Sequence, residues 1–179
     1  MLPRRWLLSA TALAAAALTP QAALAQVRAV TPADSINLVL EAYSVLLDNT
    51  GTRAIAGPVW LKSDTASDSM SRSHLSSKQA QSILEADPRV RLVSEREDLY
   101  LCPPGREVLM PVSGCPIRES GVIVTLRTWQ RDAATLIIIG SVVKSGTSGR
   151  HTWAEILGVA FRWDDAGWKY SGIEFHGAT

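Results

Sequence analysis

The last third of the chain carries the strongest constraint on the fold, because it contains four strand-like segments. The segments are 121–130, 134–144, 152–163 and 168–175. The first alternates between apolar and polar residues, whereas the second is apolar on both faces, as in a central strand. Apolar and polar residues that alternate with a period of two are typical of strands with one buried face. The turns between the segments are short and polar, and such turns join antiparallel neighbours. The sequence therefore predicts a four-strand antiparallel meander.

A long helix is predicted near the N-terminus. Thr31 can cap it, Pro32 suits its first position, and the charge of Asp34 favours its N-terminal end. Gly51 is placed to end it in a left-handed conformation. The apolar residues at helical spacing are Ile36, Val39, Leu40, Tyr43, Leu46 and Leu47. This stripe needs a sheet to cover it, so the predicted class is α+β, with the helix packed on a curled antiparallel sheet.

The helix at 32–48 followed by the strands of 121–175 resembles, in the order of elements, the nuclear-transport-factor-like superfamily. The resemblance is architectural and no sequence motif is shared. It implies a curled sheet that wraps the helix and encloses a pocket. Cystatin-like folds share the same coarse order without the pocket, so a packed interior is the alternative.

Residues 1–25 have the three parts of a secretory signal peptide: two arginines, an apolar core, and the small-residue cleavage motif Ala23-Leu24-Ala25. The apolar core is shorter than the roughly 20 residues that a spanning helix needs. We therefore predict cleavage, no membrane span afterwards, and export to the periplasm or the medium. The remaining 26–179 has a suitable length for a single α+β domain.

Two cysteines and a serine-rich segment divide the middle of the chain. Cys102 and Cys115 tend to pair in an oxidising compartment, and the prolines and glycines between them let the chain fold back. We predict a disulfide loop over 102–115. Residues 63–82 are rich in serine and predict a solvated loop, although Ser76 or Ser77 could cap a second helix there.

The net charge and the absence of known binding motifs limit the kinds of partner that the sequence predicts. The formal net charge of +1 favours neither nucleic acid nor an anionic membrane surface. Zinc-protease, P-loop and dinucleotide-binding motifs do not occur in the sequence, so no metal or cofactor is expected. The partners that fit are a small apolar ligand or another envelope protein.

Glu155 and His176 are the candidate catalytic residues. The third strand of the meander has one bulky face, made of Trp153, Glu155, Leu157, Val159, Phe161 and Trp163. A carboxylate in an apolar pocket has a raised pKa and can act as a general base. Glu155 faces His176 if the next turn pairs Trp163 with Trp168, whereas a bulge at Gly167 removes that pairing. A place at the solvated rim is the alternative for Glu155.

Aromatic side chains are the candidate ligand contacts, although aromatic residues also fill cores. The candidates are Tyr43, Trp153, Phe161 and Trp163. A further stripe on one strand face, Arg127, Trp129 and Arg131, could meet an anionic partner or be a solvated sheet face.

Three functions follow from these features. The leading hypothesis is an exported, non-enzymatic binding or accessory module. The second is a small isomerase-like or lyase-like enzyme that uses Glu155 as its base. The third is an envelope docking protein that uses the arginine and tryptophan stripe. A pocket that encloses a carboxylate favours the enzyme, and a packed interior favours docking.

Overall fold

The structure is a computed structural model that describes residues 29–62, 72–94, 98–102, 115–145 and 152–178. The predicted signal peptide lies outside these residues. So do the first part of the serine-rich segment, 63–71, and the interior of the disulfide loop, 103–114.

The described residues form two α-helices, seven strands and two short 3-10 turns. The helices are α1 (Pro32–Asn49) and α2 (Ser77–Ala86). The strands are β1 (Val59–Lys62), β2 (Arg72–His74), β3 (Val90–Val93), β4 (Val122–Gln130), β5 (Thr135–Ser145), β6 (Thr152–Asp164) and β7 (Gly167–Ala178). The 3-10 turns are Thr52–Ala54 and Arg118–Ser120.

The strands form one mixed sheet in the order β3-β1-β4-β5-β6-β7, with β2 paired to β4 off this path. The predicted α+β class is confirmed. The expectation of a wholly antiparallel sheet is wrong, because β1 runs parallel to both β3 and β4. Parallel neighbours need a crossover, and α2 supplies it between β1 and β3. Strands β4 to β7 pair antiparallel in chain order.

The ends of α1 follow from its capping residues. The hydroxyl of Thr31 accepts a hydrogen bond from the backbone N–H of Asp34 at 3.1 Å, and Pro32 occupies the first turn. Gly51 follows the helix with a φ of +66°, a left-handed conformation that glycine adopts without strain.

The apolar face of α1 packs directly on β5 and β6. Leu46 of the helix and Leu157 and Phe161 of β6 belong to one buried cluster, and each of the three is 0% exposed. The helix and the bulky face of β6 therefore share one hydrophobic core.

The described residues beside the disulfide, 98–102 and 115–120, form a segment that covers part of the opposite face of the sheet. Cys102 and Cys115 are bonded, with their Cα atoms 4.8 Å apart, which confirms the predicted pair. A second, smaller core lies beneath this segment, made of Trp60, Val93, Leu99, Ile117 and Ile123. The indole N–H of Trp60 donates to the carbonyl of Arg118 at 3.1 Å.

The β6–β7 hairpin begins in the register that brings Trp163 opposite Trp168. Two irregularities then shift the register, between Gly158 and Val159 and between Ala160 and Phe161. Each adds a residue to β7, which is what a β-bulge does.

The turn pairs Trp163 with Trp168, but these two shifts remove the direct pairing of Glu155 with His176 that an unbroken register would give. Glu155 lies opposite Ala178, and His176 lies opposite Leu157.

Candidate functional site

A cavity of about 360 Å³ opens between α1, the Thr52–Ala54 turn and the segment that joins α2 to β3. This volume lies within the range of small-molecule sites, roughly 300–1,000 Å³. The lining residues are Leu40, Tyr43, Ser44, Leu47, Arg53, Ala86, Asp87 and Arg89. We call this space the α1 cavity.

Asp87 organises the polar wall of the α1 cavity. Its Oδ2 accepts hydrogen bonds from the Tyr43 hydroxyl at 2.9 Å and from Nη2 of Arg89 at 2.8 Å. Its Oδ1 accepts from the backbone N–H and from Nε of Arg89, at 3.0 and 3.1 Å. A carboxylate offers about four acceptor sites, so the capacity of Asp87 is used.

Ionisation in this wall is fixed by neighbouring groups. The hydrogen bond from the Arg89 side chain lowers the pKa of Asp87 below its ordinary value, although burial opposes that shift. Burial, and then the hydrogen bond to Asp87, raise the pKa of the Tyr43 hydroxyl. At neutral pH the wall therefore holds a carboxylate, a guanidinium and a neutral phenol.

Arg53 lies at the mouth of the α1 cavity, where its side chain is 53% exposed. It is paired with Asp48, which is equally exposed, and its Nη2 donates to Oγ of Ser44 at 2.6 Å. Arg89 holds the end of the Thr52–Ala54 turn, because its Nη1 donates to the carbonyl of Ile55 at 2.9 Å.

A second group of titratable side chains surrounds Glu155. The ammonium of Lys144 donates to Glu155 and, at 2.5 Å, to the carbonyl of Thr50 just after α1. Nε2 of His176 lies 3.2 Å from the other oxygen of Glu155. The Lys144 nitrogen is 5.5 Å from the centre of the Trp153 ring. We call Lys144, Trp153, Glu155 and His176 the Glu155 cluster.

The pKa of Glu155 is lowered, whereas an apolar pocket would raise it. Burial is the largest single influence and would raise it. Hydrogen bonds from Lys144 and His176, together with the charge of Lys144, outweigh burial. The carboxylate therefore faces a cation rather than an apolar pocket.

The structure divides the predicted site residues among three environments. Glu155, His176 and Trp153 come together in the Glu155 cluster, whereas Tyr43 lines the α1 cavity. Phe161 is fully buried and meets the ring of Tyr170 edge-on, at 6.2 Å between centroids. Its burial in the core leaves it no surface for a ligand.

The last aromatic candidate, Trp163, lies on β6 next to the edge strand β7. Trp163 packs edge-on against Trp168, with centroids 5.6 Å apart. In the arginine and tryptophan stripe, the guanidinium of Arg131 lies 5.5 Å from the Trp129 ring and pairs with Glu174 at 3.1 Å. An internal carboxylate thus already offsets the charge of Arg131.

Sequence reasoning missed Arg53, Asp87, Arg89 and Lys144. Asp87 has a readable signal, because an Asp-Pro-Arg sequence after a helix lets the carboxylate accept the N–H two residues on. Lys144 also has a readable signal. It continues the buried side of an otherwise apolar strand, where a charged side chain needs hydrogen-bonding or charged partners. Nothing in the sequence links Arg53 to either.

Comparison with protein-family models, curated proteins and solved structures gives no match for this chain. Within the described residues, no group of three or more His, Cys, Asp or Glu side chains is placed to hold a metal ion. Neither helix in this part of the chain is long and apolar enough to cross a membrane.

Proposed function

We propose that the protein is an exported binding module that takes a small ligand into the α1 cavity. The observation that carries the proposal is the combination of an apolar floor with a polar wall already fixed by hydrogen bonds. Leu40 and Leu47 form the floor, and Asp87 holds the wall through Tyr43 and Arg89. A preformed site loses little conformational freedom on binding, which favours affinity.

Export is supported by two independent features. The sequence predicts a signal peptide over residues 1–25. The bond between Cys102 and Cys115 is of the kind that persists in oxidising compartments such as the periplasm and the extracellular medium.

The alternative functions have less support. A base-catalysed isomerase or lyase needs Glu155 free to accept a proton, whereas Lys144 and His176 occupy its oxygens. A pocket between helix and sheet, which the nuclear-transport-factor-like resemblance implies, has Leu46 and Phe161 in its place. In the arginine and tryptophan stripe, Arg131 is already paired with Glu174, which leaves less charge to attract an anionic partner.

The test is a ligand-observed NMR screen of neutral, anionic and cationic fragments against the exported form of the chain. Ala86 lies exposed at the cavity, so Ala86→Phe places a ring in the space. Ala33, exposed at the other end of α1, gives the matched control Ala33→Phe. We expect fragments to bind the wild type and Ala33→Phe but not Ala86→Phe.

Two results contradict the proposal. One is a screen in which no fragment binds the wild-type protein. The other is undiminished binding to Ala86→Phe, which places the ligand elsewhere on the molecule.

A further inference from the structure

We infer that the α1 cavity selects ligands that join a short aliphatic group to a single carboxylate. The inference rests on the proposed function and names the chemistry of that same site. It follows from which hydrogen-bonding groups around the cavity are already used and which are not.

The ion pair in the wall has little left to offer. Asp87 accepts four hydrogen bonds, and its charge is matched by Arg89. Arg89 in turn donates from Nε and Nη2 to Asp87 and from Nη1 to backbone carbonyls, of which the Ile55 oxygen is nearest at 2.9 Å. A ligand therefore gains neither a charge nor a strong donor from this pair.

Two hydrogen-bond donors at the mouth of the α1 cavity have no acceptor among the described residues. Oγ of Ser44 accepts from Nη2 of Arg53 at 2.6 Å, and its hydroxyl proton has no acceptor among the described residues. Nη1 of Arg53 likewise makes no hydrogen bond within the described part of the chain. A hydroxyl and a guanidinium side by side match the two oxygens of one carboxylate.

The existing partner of Arg53 does not block a ligand. Asp48 is 53% exposed, and an ion pair between exposed side chains is held weakly because water screens it. Arg53 can keep Asp48 on Nε while Nη1 turns to a second anion. A cationic ligand head would have to compete with Arg53 for Asp48, which already accepts hydrogen bonds from Nε and Nη2 of Arg53.

The apolar floor of the α1 cavity determines the chemistry of the uncharged part of the ligand. Leu40 and Leu47 line it together with the ring of Tyr43, which is only 4% exposed. A second charged group buried there would have no partner, and that is costly. An unbranched or branched aliphatic chain fits this lining, which makes the ligand amphipathic with one charged end.

The experiment compares three probes of equal length: hexanoate, 1-hexanol and hexylamine. Each is titrated into the ¹⁵N-labelled exported form at pH 7 and low salt, and the amide shifts of α1 residues report the dissociation constant. We expect hexanoate to bind about threefold more tightly than hexanol, because the guanidinium that it meets is exposed and screened by water. Hexylamine is expected to bind most weakly.

Two variants locate the selectivity. Arg53→Gln should abolish the preference for hexanoate over hexanol by lowering the affinity for hexanoate. Arg162→Gln removes an exposed guanidinium from β6, away from the cavity, and should keep the preference.

The outcomes separate the two proposals. Equal binding of hexanoate and hexanol, both abolished by Ala86→Phe, overturns the ligand class and leaves the binding module standing. Tighter binding of hexylamine does the same. If none of the probes binds while other fragments enter the cavity, the ligand class is wrong. If nothing binds there at all, both proposals fail.

Discussion

The α1 cavity and the Glu155 cluster use the same elements and differ in what surrounds them. In each, a partly buried carboxylate is paired with one cation and hydrogen-bonded to a third side chain. Asp87 has Arg89 and Tyr43, and Glu155 has Lys144 and His176. The pKa of each carboxyl group is lowered. Asp87 lines the α1 cavity.

The difference shows that a group of titratable residues is not by itself a site. The Glu155 cluster ties together β5, β6, β7 and the residue after α1, so its interactions serve the fold. The network of Asp87 serves the fold as well, because it joins α1 to the segment before β3. It leaves space beside it, and space is what a ligand needs.

Burial of the cation predicts which network matters more for stability. Lys144 has a side chain 9% exposed, whereas that of Arg89 is 26% exposed. A more buried pair loses more when one member is removed, because the other is left charged and poorly solvated.

The largest effect is expected for Lys144→Met. It leaves Glu155 without its cation, and we expect the free energy of unfolding to fall by about 2–4 kcal/mol, as for other broken buried pairs. Urea unfolding followed by tryptophan fluorescence measures it. Lys169→Met is the control, because its pair with Asp164 is exposed and screened. Equal losses in both variants would contradict the prediction.

A double variant separates the pair from packing. Lys144→Met with Glu155→Gln removes both charges, so it should recover part of the stability that Lys144→Met alone loses. Further loss in the double variant would show that Lys144 acts through its contacts with Thr50 and Trp153 instead.

A smaller effect is expected for Tyr43→Phe at the cavity. The change deletes a hydrogen bond of 2.9 Å to an ionised carboxylate, which is worth about 1–2 kcal/mol. The same urea experiment applies, with Tyr170→Phe as the control, since Tyr170 is 42% exposed. If the two variants lose the same stability, the bond between Tyr43 and Asp87 contributes nothing measurable.

Local chemistry explains which parts of the fold could be predicted. Thr31 and Ser76 cap α1 and α2 because their hydroxyls satisfy free N–H groups within three residues. The two cysteines sit beside turn residues that bring them together. Alternation marks strands in this region because successive side chains of a strand point to opposite faces of the sheet.

Contacts between distant segments explain what could not be predicted. The parallel pairing of β1 with β3 and β4 depends on a crossover that leaves no trace in β1 itself. The shifts near Gly158 and Ala160 move His176 by two residues, although its side chain still reaches Glu155 diagonally at 3.2 Å. The α1 cavity joins residues from three separate segments, so no single pattern contains it.

The smallest difference between the two networks is expected in acid. The pKa of Glu155 in the folded protein lies below its ordinary value of 4.5, so its ionised form stabilises the fold at higher pH. That stability is fully present above pH 4.5 and is lost as the pH falls through the lowered pKa, because the unfolded chain then binds the proton more readily. The stability that ionised Asp87 contributes has the same sign, but it is lost at lower pH because the ordinary pKa of Asp87 is 3.8.

Unfolding free energies measured in steps from pH 6 to pH 3 should therefore decline less steeply for Glu155→Gln than for the wild type, and the two curves should converge at the acid end. Glu41→Gln, on the exposed side of α1, should keep the wild-type slope. A Glu155→Gln curve parallel to the wild type over the whole range would mean that Lys144 and His176 do not stabilise the charge of Glu155.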